Sequence, residues 1–139
     1  IPGGQSMINA TIITSTLETV SERCGDPKGR IFARLYALDA KFEPLFVMDT
    51  DGGVRGSMLE TSLNCMIGVA EGHSETPRLL IEAARIIHDG YGLTPAEVDL
   101  MFVAMRDVFR EIMADDWTGA VDREWTALLD ELATIGAAA

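Results

Sequence analysis

The sequence is poor in the features that usually declare a chemistry. Its 139 residues hold two cysteines and two histidines, with 11 basic against 22 acidic side chains. No apolar run approaches the ~18 residues a membrane span needs. Each shortage excludes something. A net charge of −11 opposes phosphate backbones and anionic lipid, whose binders need clustered lysine and arginine, so neither nucleic acid nor a membrane is an expected partner. Cys24 and Cys65 lie far apart, each inside a helical pattern, and read as small hydrophobes of a reducing compartment rather than as a disulfide or a metal pair. That points to the cytoplasm. Gly52, Gly53 and Gly56 lack the lysine and the serine or threonine of a phosphate loop, and DTDGG at 49–53 lacks the full ligand spacing of a calcium loop. No segment of useful length shows strand-like alternation, and no Ser-His-Asp arrangement follows from spacing.

What is present is apolar and helical. Apolar residues form 47% of the chain, which excludes a disordered class, and the length suits one domain with a single core. IPGGQS, ahead of Met7, has neither the basic start nor the apolar centre of a secretory signal and reads as an expression remnant. From there Ile12, Ile13, Thr16, Leu17, Val20 and Cys24 share one helical face, which CGDPKG ends. A second face, Ile31, Phe32, Leu35, Tyr36 and Leu38, runs into KFEPLF, where Pro44 favours a short irregular corner. Beyond the DTDGG turn, Met58, Leu59, Ser62, Leu63, Met66, Ile67 and Ala70 recur at helical spacing, with Glu60 and Asn64 on the polar side.

EGHSETP, with Ser74 ahead of Pro77, interrupts again before Leu80, Ile81, Ala84, Ile87 and His88. Gly90 and Gly92 stop that helix. Thr94 and Glu97 then make a capping box, with Pro95 at the first helical position. Behind it Val98, Met101, Phe102, Met105, Val108, Phe109, Ile112 and Met113 give the strongest amphipathic signal, and a last helix uses Trp125, Leu128, Leu129, Leu132 and Ile135. The expectation is an all-α bundle of about six to eight helices.

His88 is the one titratable ring on an apolar helical face, in ARIIHDGYGLTP. A lone histidine there is more often a core residue bonded to a carbonyl or to water than a metal ligand. Its chemistry nonetheless suits iron. A neutral imidazole binds metal through one nitrogen while the other donates to a carbonyl one turn earlier, here that of Ala84. Zinc wants about four ligands, and neither His73 nor the cysteines have the spacing to join His88 on one face. If His88 holds a metal, the in-plane ligands come from a macrocycle.

The segments IFARLYALDAKFEPLF, GSMLETSLNCMIGVAE, ARIIHDGYGL and DDWTGAVDREWTALL, in that order, resemble successive parts of the globin family, especially bacterial single-domain globins. The likeness runs from Leu17 to the C-terminus. Its most specific points are the histidine before YGL and the pair Trp117 and Thr118 ahead of Trp125. The resemblance implies a globin-like bundle around a haem pocket, with His88 as proximal iron ligand. It likewise implies Phe46 packed on the porphyrin, Leu59 over the iron and Phe32 facing the bound gas. Arg55, one turn before Leu59, stands where many globins carry a distal histidine or glutamine. Ala40 replaces a proline common early in the corner. Val98 occupies the place of a tyrosine that, in several bacterial globins, makes the proximal histidine more anionic, so a peroxidase-like iron is not expected.

Haem is a flat and mostly apolar disc, and Phe32, Phe46, Leu59, Met101 and Met105 are of the kind that walls such a slot. The same residues would pack equally well on one another in an ordinary core. Iron-bound dioxygen gains ~1.5–3 kcal/mol from a charge-assisted donor. With phenylalanine at position 32 only Arg55 is placed to supply it, unless its guanidinium turns to a propionate or to water. The expected function is reversible binding of oxygen, nitric oxide or carbon monoxide, with modest oxygen retention. Nitric oxide dioxygenation would need an external reductase, and a homodimer is left open. The alternative is a globin-shaped domain without haem that serves signalling or protein interaction. A membrane-surface or partner-binding bundle is a third reading, which the composition disfavours.

Overall fold

The computed structural model describes residues 8–73 and 75–138, leaving the side chains of 85–87 and 89 aside. Among the described residues the chain is all-α, with seven α-helices, two 3-10 segments and no strand. The expectations for residues 1–6, Ser74 and the Ile87 side chain lie outside this description.

Helix α1 spans Ala10–Cys24 and starts ahead of its first apolar repeat because Asn9 caps it, accepting the Ile12 N–H on Oδ1 at 3.2 Å. It ends at Gly25, whose φ of 75° suits glycine and whose N–H donates to the Ser21 carbonyl at 2.8 Å. Pro27 leads into α2, Lys28–Leu38, so the break in CGDPKG falls where expected, although Gly29 is already inside α2. The KFEPLF corner is a 3-10 segment, Ala40–Phe46, capped by Asp39 accepting the Lys41 N–H at 3.1 Å. Helix α3 follows at Gly53–Ala70, and α4 at Glu75–Gly90.

The Thr94 capping box is present in full, with the Thr94 and Glu97 side chains each accepting the other's backbone N–H at the head of α5, Pro95–Val98. The single helix expected behind it is divided. Asp99 (φ −62°, ψ −19°) separates α5 from α6, Leu100–Met113, while its right-handed backbone keeps the two nearly continuous. A 3-10 turn at Ala114–Asp116 leads to α7, Gly119–Ala138.

Helix α2 packs on α6, α3 on α4, and α1 against both α6 and α7. Between them Ile13, Ile31, Leu35, Met66, Phe109, Trp125, Leu128 and Leu132 are buried to 2% exposure or less. Trp125 anchors this core: its ring meets Phe109 edge-on at 5.5 Å and Trp117 at 6.0 Å, and its indole N–H donates to the Thr16 hydroxyl at 3.2 Å. Helix α4 owes its close seat on α3 to Gly68. A Cβ at that position would stand 3.0 Å from the Pro77 ring, so glycine lets the buried proline lie directly on the α3 backbone.

Candidate functional site

Three of the aromatic residues gather where α2 meets the 3-10 corner. Phe32 is buried on α2 and Phe46 half-buried at the end of the corner, their ring centroids 5.4 Å apart at 74°. Tyr36, one turn beyond Phe32, leans on both rings at 6.2 Å. The edge-on geometry puts the positive rim of one ring against the negative face of the other, which ties α2 to the corner.

Arg55 adjoins this cluster, but its guanidinium is committed elsewhere. Nε donates to Asp49 Oδ2 and Nη2 to the Asp49 backbone carbonyl, both at 2.9 Å. The same carboxylate caps α3 by accepting the N–H groups of Val54 and Arg55 at 3.0 and 2.9 Å. Burial alone would raise the Asp49 pKa; the two backbone donors and the guanidinium outweigh it and hold the group down at about 2. Asp49 in turn raises the Arg55 pKa against the opposing effect of burial, with help from the Tyr36 hydroxyl. A cleft of about 360 Å³ opens here, with Lys28, Phe32, Tyr36, Gly52 and Arg55 among its lining.

The remaining candidates lie on α3, α4 and α6. Leu59 on α3 and Met101 and Met105 on α6 are buried in the main core. His88 is half-buried, two residues from the end of α4, and its carbonyl accepts the Tyr91 and Leu93 N–H groups at 3.0 Å, which folds the chain sharply after it. Ala84 is half-buried one turn earlier on the same helix. The packing of α3 on α4 therefore sets the helices bearing Leu59 and His88 side by side.

These residues suit an iron porphyrin in chemical kind. Among the described residues no cluster of three or more histidine, cysteine or carboxylate groups could hold a bare metal ion. A metal on His88 would thus depend on a macrocycle for its other ligands, and the candidate wall residues Phe32, Phe46, Leu59, Met101 and Met105 are apolar as such a ring requires. Sequence reasoning missed three participants. Asp49 read only as turn chemistry, Tyr36 only as core, and the Lys41–Glu97 ion pair, which joins the 3-10 corner to α5, had no local signature. An aspartate just ahead of a helix start was the one available signal, for Asp49.

No protein-family model, curated protein or solved structure matches this chain.

Proposed function

We propose that the chain is a globin-like protein that binds haem through His88 and reversibly takes up a diatomic gas. The observation that carries this reading is one arrangement. Helix α4, with His88 near its end, packs on α3, the helix of Leu59, while Phe32 and Phe46 meet at the neighbouring α2 corner. Residues chosen for their order along the chain thus fall on helices that touch. Haem, when bound, supplies the iron that takes the gas. His88 would hold the metal from one side, and Phe32, Phe46, Leu59, Met101 and Met105 would enclose the ring and keep water out. Burying that ring contributes about 25 cal/mol per Å² of apolar surface. Arg55 is the side chain that could donate a hydrogen bond to bound oxygen, yet it is tied to Asp49. That supports gas binding with little help from a hydrogen-bond donor, and so weak discrimination in favour of oxygen.

A second reading draws on a different observation. Phe32, Leu59, Met101 and Met105 are already almost wholly covered by other protein atoms, at 8% exposure or less. A domain of this shape whose core is filled by its own side chains would serve protein interaction without haem. Titration with haemin separates the two: an intense Soret band that His88→Ala abolishes or shifts supports the first, and no uptake supports the second.

A further inference from the structure

The basic side chains are few and unevenly spread. Arg30 and Arg34 stand one turn apart on α2, Arg106 and Arg110 one turn apart on α6, and Arg23 lies at the end of α1 beside them. This single stripe holds five of the eleven basic residues of a chain with 22 acidic ones. Among the described residues three carboxylates answer them. Glu111 pairs with Arg30 and Asp116 with Arg23. Asp107 alone receives Arg34 at 2.9 Å, Arg106 at 3.0 Å and Arg110 at 3.6 Å.

One carboxylate cannot satisfy three guanidinium forks, so N–H groups are left facing outward along a groove of about 670 Å³. Arg30, Arg34 and Arg110 keep roughly half of their side-chain surface in solvent. The stripe is thus a cationic face on a strongly acidic body. Its five guanidinium charges stand against three carboxylates, a basic surplus that complements an acidic surface at short range.

The geometry points to this stripe as the docking face for an acidic protein that donates one electron, a flavin or iron–sulfur carrier. The inference rests on the haem reading, which needs such a donor whenever the iron becomes ferric. In the transfer the carrier loses one electron and ferric iron becomes ferrous; no bond is made and no proton is required. The groove suits the task by position. Its floor is Ala33, the neighbour of Phe32, and Val108, one turn beyond Met105, so a single layer of α2 and α6 separates it from the proposed cofactor walls. A compact phosphate would sit over Asp107 and Glu111 and be repelled by them. Carboxylates spread over a protein face can each meet a rim arginine and avoid those two.

The test is association with a flavodoxin of net negative charge, measured by calorimetry and by stopped-flow reduction at several ionic strengths. The parent should bind at low salt and lose affinity steeply as salt rises. Arg30→Gln/Arg110→Gln should weaken low-salt association by about tenfold, whereas Arg78→Gln/Arg123→Gln, with the same change in net charge, should change it by less than about twofold. Circular dichroism confirms that both variants fold, and Arg110→Gln alone serves if the double variant does not. Equal losses in the two doubles, or no salt-dependent association in the parent, would overturn the proposal. The calorimetric arm needs no haem. A chain that takes up no haem defeats the functional reading while the association still decides the surface, and a haem-loaded chain that ignores the flavodoxin defeats only the docking.

Discussion

Arg55 and Asp49 close the start of α3 on itself. The carboxylate caps the helix through two backbone N–H groups while the guanidinium returns to the same residue through Nε and Nη2. Capping, charge pairing and the position of the candidate distal residue are therefore one device. Its pH dependence follows from the sign of the shift. The Asp49 pKa is depressed from 3.8 to about 2 in the folded chain, so the stability it contributes is complete above the unfolded value and is lost as pH falls through the folded one. Urea titrations should show this acid loss in the parent. Asp49→Asn should be less stable at neutral pH and should lose less between pH values of about 4 and 2.

The same latch governs gas retention under the haem reading. A free guanidinium over bound oxygen would add ~1.5–3 kcal/mol, tenfold or more in off-rate. Held by Asp49, it adds little. Arg55→Ala should therefore leave the oxygen off-rate within about twofold of the parent, and Asp49→Asn, which frees the side chain, should slow oxygen escape. Stopped-flow exchange of oxygen against carbon monoxide measures both, and a tenfold faster off-rate in Arg55→Ala would contradict this view of the distal side.

Asp99 gives the opposite pH behaviour. It lies between α5 and α6 against α7, where its Oδ1 stands 3.5 Å from the site a Gly136 Cβ would take, and burial raises its pKa from 3.8 to about 6. The folded chain then holds a proton that the unfolded chain has released. Stability should fall as pH rises from about 4 to about 6 and level off above. Asp99→Asn should flatten that part of the profile in chemical denaturation.

The buried Trp125–Thr16 hydrogen bond joins α7 to α1 across the core. Thr16→Val keeps the volume but leaves the indole N–H without its acceptor, at a cost of ~1–3 kcal/mol in the denaturation midpoint analysis. Haemin uptake should be unchanged, because Thr16 is remote in sequence and role from the proposed pocket walls. A loss below about 0.5 kcal/mol would mean the indole finds another acceptor.

Local chemistry was legible and tertiary chemistry was not. The Thr94 capping box depends on residues three positions apart and appears as the sequence indicated, whereas the corner at Pro44, expected to be irregular, is a 3-10 segment that runs through the proline. The division at Asp99 escaped periodicity, because a residue that stays right-handed scarcely disturbs the apolar repeat. Asp49 was readable as a turn residue. Its bond to Arg55 was not, since that bond requires the chain to curl through a left-handed Gly52, φ 75°. Nothing local announces Arg34 meeting Asp107, 73 residues away, or Lys41 meeting Glu97. His88 stood out because a titratable ring ended an apolar face. Helices α3 and α7 pack on α4, which carries it, and α7 comes from a distant part of the chain.

The most direct measurement is the absorption spectrum of the purified chain during haemin titration, beside that of His88→Ala. The account predicts saturable uptake near one equivalent with an intense Soret band in the parent, and a band lost or displaced in the variant while helicity by circular dichroism is retained. Identical spectra from the two proteins, or a parent that stays colourless with its fold intact, would contradict it.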